Sequence, residues 1–548
     1  MIPTSFFVVV LACGIPSDAR LFDASVLPKQ LGACFFAGIA AVVLSLCQLV
    51  NKANRTISIY DVVVLVLTVS LCIMYAFRGD FSCIFNTALF SSVYLMCRQA
   101  KSNKQIKGAF VSGLLVCLLY SVAVCVRQVC RGLSVDGGYD SVSGLSLIIA
   151  LAAICVMTMR KSRAVLAAVV LALTLCALVL IGARTAIVAV LCSSMFIATK
   201  KMRVFIILVG VIVTVILSVH KSESTSGRFF ISKTSVSLFD TPANIMFGRG
   251  SNGFRASYMR LQAKRLKYGT RDERKRADNI KHPLNDCVLF IVNYGLLPLV
   301  LCIISLCAVL KKGRQDFHAH SIMLCLLVFA MFTYPFHYPI TYVALAFSIA
   351  RIVRSLPYKK NINILVDALF FYVLPLMMGT LLALCSLCVY SWNTQWKRTY
   401  SNFMFGMRED ALQGYARLAK SPFVSCEFYY NWAYVLLKTN NVADAKIAIG
   451  SCGIVDYDTQ MLRGDICASE GNVKQTVQLY SEASDMCPNR FMPLYAQYIL
   501  YERHGKLVEM MSVGREILQK EEKIKSPVIT NIKKSVSESM RLNIPNLK

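Results

Sequence analysis

The chain has 548 residues, of which 56% are hydrophobic and only 16% are charged, and its mean hydropathy is +0.56. About a quarter of the residues of a soluble domain are charged, so this composition argues against an ordinary soluble protein and favours a membrane protein. The net charge of +29 does not indicate nucleic-acid binding, because Lys and Arg form small clusters between apolar segments, as they do in membrane proteins.

A short apolar block at residues 2–15 opens the sequence. It has no basic residue before it and no small-x-small cleavage site, so we interpret it as a short first span and not as a signal peptide. Twelve further apolar blocks follow, most of them close to the ~20 residues that a spanning helix needs. They cover residues 31–50, 59–77, 81–97, 106–126, 144–159, 164–182, 185–199, 204–219, 286–310, 320–335, 338–353 and 365–391.

The loops between these blocks alternate in charge. Positively charged loops stay in the cytoplasm, so the alternation predicts thirteen spans, a cytoplasmic N-terminus and an extracytoplasmic C-terminal region. The basic loops contain Lys52 and Arg55; Arg98, Lys101, Lys104 and Lys107; Arg160, Lys161 and Arg163; Lys200, Lys201 and Arg203; Lys311, Lys312 and Arg314; and Arg351, Arg354, Lys359 and Lys360. The other loops contain Arg78 and Asp80; Arg127, Arg131, Asp136 and Asp140; Arg184; residues 220–283; and Phe336–Pro339.

Residues 164–199 are apolar except for Arg184. A single helix of this length would measure ~54 Å, whereas the hydrocarbon core is ~30 Å thick. The chain must therefore reverse near Gly182-Ala183-Arg184, where glycine permits a sharp turn. A charged residue in such a stretch is costly unless it meets water or an anion, so Arg184 is a candidate functional residue. The alternative is an arginine that extends to the lipid head groups.

The large loop at residues 220–283 and the start of the span after it contain several short motifs in a fixed order. They are Ser226-Gly227-Arg228, the segment Gly248–Phe254 with Tyr258, a basic run from Lys264 to Lys281, and His282 followed by Asn285 and Asp286.

This order resembles the O-antigen ligase and polymerase superfamily of membrane glycosyltransferases, which includes bacterial protein O-oligosaccharyltransferases. In that family an Arg lies in a turn between two spans, a Ser-Gly-Arg stretch opens a large periplasmic loop, and a Gly-x-Gly-x-x-Phe segment follows. The resemblance covers about residues 160–310. It implies catalytic roles for Arg184, Arg228 and His282, and substrate-binding roles for Arg249, Gly250, Asn252, Tyr258, Asn285 and Asp286.

The implied reaction is transfer of a glycan from a polyprenyl diphosphate to an acceptor hydroxyl on the extracytoplasmic side. Arginine suits the leaving diphosphate because it binds phosphate oxygens through two parallel hydrogen bonds and stays charged. His282 suits the role of general base. The sequence offers no covalent-nucleophile constellation and no Asp/Glu cluster in the outer loops, so we expect direct displacement with inversion, without a metal or another cofactor.

Simpler roles stay open for the same residues. His282 and the Gly248–Phe254 segment suit turns, and Arg228 suits an ordinary loop. Arg249 and the basic run suit attraction to anionic lipid head groups, which is the favoured interpretation of the run.

Residues 1–392 form the predicted membrane domain, and residues 393–548 form a predicted extracytoplasmic helical domain. Turn signals at Asn441-Val442, Gly471-Asn472-Val473 and Gly505-Lys506-Leu507 are about 31 and 34 residues apart. This spacing is similar to tetratricopeptide repeats, whose concave face is a binding surface for partners. The domain therefore suits binding of an acceptor or of a protein partner.

Most of the 22 cysteines lie in apolar runs, where cysteine behaves as a small hydrophobic residue. We therefore expect neither a zinc site nor a thioredoxin-like site. Cys426, Cys452, Cys467 and Cys487 of the C-terminal domain would be able to form disulfides in an oxidising compartment, but free buried thiols are the simpler expectation.

The sequence thus predicts an all-α, multi-pass protein of the bacterial inner membrane. It leaves the acceptor open between a glycan, the lipid A core and a protein. It also leaves two other functions open, a flippase or transporter of lipid-linked sugars and a membrane-anchored scaffold. A transporter needs ionisable residues in mid-membrane, whereas Asp61, Asp286 and Asp367 lie near the ends of spans. A scaffold function gives no reason for a charged residue at position 184 of an apolar stretch or for the fixed order of the motifs in the large loop.

Overall fold

A computed structural model describes residues 1–51, 57–100, 102–158, 164–195, 203–204, 222–312, 316–356 and 372–543. Within these ranges the chain is helical and has no β-strand, which confirms the all-α prediction. Almost all of the predicted span 204–219 and the first residues of the span 365–391 lie outside the described residues. The chain divides into two compact units, residues 1–221 with 284–398 and residues 222–283 with 399–548.

The first unit is a bundle of mostly apolar helices. Four described helices are long and apolar enough to cross a membrane, namely Leu27–Leu49, Ile59–Phe77, Asn103–Cys130 and Leu374–Met404. The helices of this unit are α1 (Ile2–Gly14), α2 (Leu27–Asn51), α3 (Ile59–Phe77), α4 (Phe81–Gln99), α5 (Asn103–Cys130), α6 (Val142–Met157), α7 (Ala164–Leu180), α8 (Arg184–Ser194), α13 (Asp286–Tyr294), α14 (Leu296–Lys312), α15 (Phe317–Phe332), α16 (Pro339–Ser355) and α17 (Leu374–Met404), whose last residues belong to the second unit.

Helix α1 packs into the core of the first unit. The ring of Phe6 is fully buried and lies 5.8 Å from that of Phe110 in α5 and 5.7 Å from that of Phe347 in α16. At Gly113 in α5, a β-carbon would lie 2.8 Å from Val10 of α1, so the two helices pack closely because this position carries no side chain. The 13 residues of α1 are fewer than a helix perpendicular to the membrane needs to span it. Neighbouring helices bury many of its apolar side chains.

The predicted alternation of the loops is visible in the contacts of the first unit. At one end, residues of the basic loops meet each other, since Arg354 donates to the carbonyl of Cys97 and Arg351 to that of Asn103. At the other end, weakly charged loops meet, since Lys29 donates to the carbonyls of Pro16 and Gly138. The described residues of these basic loops and of these weakly charged loops therefore lie at opposite ends of this unit. Which end faces the cytoplasm stays a prediction.

One predicted span differs from the structure. The block at residues 286–310 is two helices, α13 and α14, and not one. Gly295 separates them with a φ of +97°, a conformation that glycine adopts without the steric cost that other residues incur. The apolar pattern continues through this glycine, so the sequence alone did not mark the break.

The second unit combines the large loop with the C-terminal residues. The predicted large loop contains four helices, α9 (Ser222–Val236), α10 (Pro242–Phe247), α11 (Gly253–Leu266) and α12 (Arg271–Arg276). The C-terminal part contains α18 (Arg408–Leu418), α19 (Cys426–Lys438), α20 (Val442–Ser451), α21 (Tyr457–Ser469), α22 (Val473–Met486), α23 (Met492–Arg503), α24 (Leu507–Gln519) and α25 (Pro527–Asn543).

Helices α19 to α24 pack as three consecutive pairs, α19 with α20, α21 with α22, and α23 with α24. The three turns predicted from the sequence are confirmed, because each falls between the two helices of a pair. Within the second pair a β-carbon at Gly464 would lie 2.4 Å from the ring of Tyr480, so this glycine permits the close approach of α21 and α22. The name of the repeat family stays a prediction.

Candidate functional site

Arg184 lies at the tip of the predicted helical hairpin. Helix α7 ends at Leu180, Gly182 has a φ of +68°, and Arg184 is the first residue of α8. The turn is closed by a 2.9 Å hydrogen bond from the backbone N–H of Ala183 to the carbonyl of Leu178. The predicted reversal is therefore confirmed, and the side chain of Arg184 is half-buried at the start of a helix.

The direction of α8 shows at which end of the first unit Arg184 lies. Helix α8 packs against α6 and α15. Cys325 in α15 lies near two cysteines, Cys192 near the end of α8 and Cys155 near the end of α6. Helices α6 and α8 therefore run in the same direction. Arg184 consequently lies towards the same end of the bundle as the start of α6, where the weakly charged loops meet.

Asn285 and Asp286 lie at this same end, at the start of α13. The Asn285 side chain caps the helix by accepting a 3.0 Å hydrogen bond from the N–H of Val288, and it donates a 2.8 Å bond to the carbonyl of Met331. Asp286 accepts a 3.0 Å bond from the N–H of Phe336. These hydrogen bonds thus join the N-terminus of α13 to the end of α15 and to the loop that follows it. Their predicted contact with substrate stays a prediction.

The sequence analysis missed a group of ionisable side chains beside these residues. Nε2 of His337 lies 3.2 Å from an oxygen of Asp140, and the hydroxyl of Tyr338 donates a 2.6 Å hydrogen bond to the other oxygen. Ser141 and Tyr334 extend the network, because the Ser141 hydroxyl lies 2.8 Å from that of Tyr338 and accepts a bond from Tyr334. About a third of the side chain of each partner of the His–Asp pair is exposed.

The pair is held in place from both sides. His337 belongs to a short 3₁₀ turn, Pro335–His337, which the backbone bond from Phe336 to Asp286 anchors. Asp140 follows Gly138, whose carbonyl accepts a 2.7 Å hydrogen bond from the buried ammonium of Lys29. Burial alone would raise the pKa of Asp140, but the hydrogen bonds from His337 and Tyr338 lower it below its ordinary value. The carboxylate is therefore ionised at neutral pH.

The other predicted site residues lie in the second unit. Arg228 is half-buried within α9, and His282 is half-buried before the buried Pro283. The Ser-Gly-Arg stretch, predicted to open a loop, is thus part of a helix. Arg184 belongs to the first unit, and the shared catalytic role that the resemblance implies for the three residues stays a prediction.

The Gly248–Phe254 segment is a turn that begins α11. Gly248 and Gly250 have φ values of +72° and +103°, and the N–H of Gly253 donates to the carbonyl of Gly250. Asn252 is exposed, and its amide lies 3.7 Å from the sulfur of Cys426. The exposed amide and the open turn leave Gly250 and Asn252 accessible, which is compatible with the substrate-binding role that the resemblance implies.

Tyr258 and Arg249 serve the structure of the second unit. Tyr258 is fully buried and stacks on Phe254, with 4.8 Å between the ring centroids. Burial raises the pKa of Tyr258. Arg249 donates to the carbonyl of Leu238 and forms a 2.6 Å ion pair with Asp240. Substrate contact by Tyr258 would require this side chain to leave its core position.

The basic run after α11 is mostly paired within the second unit. Arg271 pairs with Glu521 and Lys267 with Asp485, and the guanidinium of Arg265 lies over the ring of Phe230. The expected role for this run was attraction to lipid head groups. Two of its cations thus pair with acidic residues of the C-terminal part of the second unit, and attraction of the run to lipid head groups stays a prediction.

The 22 cysteines are all free thiols, as expected for the four in the C-terminal domain. The chain does contain one Cys-x-x-Cys spacing, Cys385 and Cys388, which the sequence analysis overlooked. Both lie on the apolar helix α17.

No protein-family model matches this chain, and no curated protein matches it either. The assignment of roles therefore depends on the residues themselves. The structure brings Arg184, Asn285 and Asp286 to the same end of one helical unit, and it adds His337 and Asp140 to that end.

Proposed function

We propose that the chain is a membrane-embedded glycosyltransferase that transfers a glycan from a polyprenyl diphosphate to an acceptor hydroxyl. The observation that carries the proposal is the gathering of Arg184, Asp286, Asp140 and His337 at one end of an apolar bundle, the end where the weakly charged loops meet. Such a site offers a cation for a diphosphate and groups that exchange protons, in a region that a lipid-linked substrate reaches from the bilayer.

The proposed chemistry follows from these residue types. Arg184 stabilises the negative charge that develops on the departing diphosphate, because a guanidinium binds two phosphate oxygens at once. The resemblance implies a catalytic role for Arg228 as well. The acceptor hydroxyl must lose its proton as it attacks the anomeric carbon, and a histidine is suited to remove it. The resemblance assigns this role to His282. Attack and departure occur in one displacement, which inverts the anomeric carbon.

The proposed topology has thirteen spans in the bacterial inner membrane, with the N-terminus in the cytoplasm and the site and the helical repeats outside. The charge alternation of the loops supports this orientation. The acceptor is a growing glycan, the lipid A core or a protein hydroxyl, and the C-terminal helical pairs suit the binding of that acceptor or of a protein partner.

The decisive experiment supplies purified protein in nanodiscs with an undecaprenyl-diphosphate glycan and each of the three acceptors in turn. We expect transfer to one of them, and the acceptor that is used distinguishes polymerase, ligase and protein glycosyltransferase. Arg184→Lys and Arg228→Lys should each lose most of the activity, because lysine keeps the charge but not the planar pair of donors.

Lys264→Ala is the matched control, since Lys264 is an exposed cation of the basic run, and diffuse attraction to a surface contributes only ~1 kcal/mol per cation. Wild-type rates in both Arg→Lys variants would contradict the proposed roles. A wild-type protein that moves the lipid-linked glycan across a vesicle membrane without transferring it would be a flippase.

A further inference from the structure

The His337–Asp140 pair has the features of a proton-transfer centre. The pair joins two loops that are about 200 residues apart, and each residue is only about a third exposed. A histidine that serves as a base needs a partner that fixes its ring and its tautomer. Asp140 supplies that partner, because its carboxylate lies 3.2 Å from Nε2 of His337. When the hydrogen of the neutral ring is on Nε2, Nδ1 carries the lone pair that accepts a proton.

A network of hydrogen bonds surrounds the pair. Tyr338 donates to Asp140, and Ser141 and Tyr334 continue the hydrogen-bond network. The 3₁₀ turn that carries His337 is fixed through Asp286. A base held by a fixed network of this kind is preorganised, which is what catalysis requires and what an exposed surface histidine lacks.

We propose that His337, oriented by Asp140, removes the proton of the acceptor hydroxyl during glycosyl transfer. This inference rests on the function proposed above and assigns its base to the first unit, where Arg184 also lies. The acceptor oxygen bonds to the anomeric carbon while the bond from that carbon to the diphosphate oxygen breaks. The bonding electron pair leaves with the diphosphate, which Arg184 stabilises, and the acceptor proton moves to Nδ1 of His337.

The first test compares His337→Gln with two other histidine variants. We expect His337→Gln to lower kcat by ~100- to 10,000-fold, the usual contribution of a general base, with little change in the KM for the lipid-linked donor. His320→Gln is the control. His320 lies in the first turn of α15, at the end of that helix far from His337, and its Nδ1 is 2.7 Å from the carbonyl oxygen of Asp316. The kcat of this variant should equal that of wild type. His282→Ala measures the competing assignment.

Asp140 is a positioning residue in this scheme, and its test is the separation of kcat from KM. Asp140→Asn should lower kcat with little change in the KM for the lipid-linked donor, because an amide donates as well as accepts and so does not fix the hydrogen on Nε2 of His337. Asp140→Glu should restore part of kcat, because it keeps a carboxylate. A purely structural role for Asp140 would change KM together with kcat and would give no recovery with glutamate.

A rescue measurement separates loss of the base from loss of folding. Imidazole added to His337→Ala should restore part of the activity, and should restore none to Arg184→Lys. The inference is overturned if wild type transfers glycan and His337→Gln does so within tenfold, or if His282→Ala alone abolishes transfer. No transfer by wild type to any acceptor overturns the proposed function itself, and this inference with it.

Discussion

The ion pair between Asp61 and Arg98 gives the sharpest prediction about stability. The Asp61 carboxylate is completely buried, and both of its oxygens are occupied. It accepts two bonds of 2.6 Å from the guanidinium of Arg98, one of 2.5 Å from the hydroxyl of Tyr94, and one of 2.9 Å from the N–H of Ser58. Arg98→Met removes two of these four bonds and leaves a buried carboxylate without its counter-charge.

Removing one partner of a buried ion pair costs ~3–5 kcal/mol, whereas replacing both partners with apolar residues is often nearly neutral. We therefore expect Arg98→Met to lower the free energy of unfolding by ~3–5 kcal/mol. The triple variant Asp61→Leu/Tyr94→Phe/Arg98→Met, which leaves neither a buried charge nor the Tyr94 hydroxyl without a partner, should lose only ~1 kcal/mol, mostly from the lost cap at Ser58. Tyr94→Phe should lose ~1.5–3 kcal/mol, because its hydrogen bond is to a charged group.

The assay is SDS-induced unfolding in mixed micelles, followed by circular dichroism. The triple variant should be more stable than Arg98→Met. The prediction is refuted if Arg98→Met costs less than ~1 kcal/mol, or if the triple variant loses as much stability as Arg98→Met, since a buried charge without a partner would then carry no penalty.

Three further predictions concern the loops and the second unit. Lys29→Met should speed tryptic cleavage at the exposed Arg131, because the buried ammonium of Lys29 holds the loop that contains Asp140; unchanged cleavage would contradict this role. Iodoacetamide at pH 7 should alkylate Cys426 at least tenfold faster than Cys487, as followed by mass spectrometry. A hydrogen bond from Cys452 lowers the pKa of Cys426 and so favours its thiolate, whereas burial raises the pKa of Cys487 to about 12, and equal rates would refute this. An alkaline phosphatase fused to the last residue should be active, since the charge alternation predicts an extracytoplasmic C-terminus; an inactive fusion would reverse the orientation.

The sequence predicted those features that depend on local chemistry and on length. The reversal at Gly182 followed from an apolar stretch too long for one span, and the turns between the C-terminal helical pairs followed from glycine and asparagine at regular intervals. The break at Gly295 was missed because hydrophobic residues continue on both sides of it. The helices of the large loop were missed because they are short, polar and rich in basic residues, and so lack the apolar period that marks a helix.

The His337–Asp140 pair shows a different limit. Each residue is an unremarkable polar residue in a short loop between apolar segments, and about 200 residues separate them. Their contact follows from the packing of α6 against α15 and against the 3₁₀ turn Pro335–His337, which no local pattern encodes. The sequence did contain one sign of a polar site here. Tyr334 and Tyr338 place two hydroxyl groups beside His337, between two apolar segments.

The second unit is built from two segments that are far apart in the sequence, residues 222–283 and 399–548, and this has a consequence for biosynthesis. Gln262 in α11 is fully buried, and its amide donates a 2.8 Å hydrogen bond to the carbonyl of Met486. A ribosome adds ~5–20 residues per second, and the two residues are 224 positions apart, so ~10–45 s pass before the partner of Gln262 is made. Throughout that interval the nascent loop has no C-terminal helices to cover it. The second unit is therefore completed late in translation, and a chain that stalls before α22 leaves its loop exposed to proteases and chaperones.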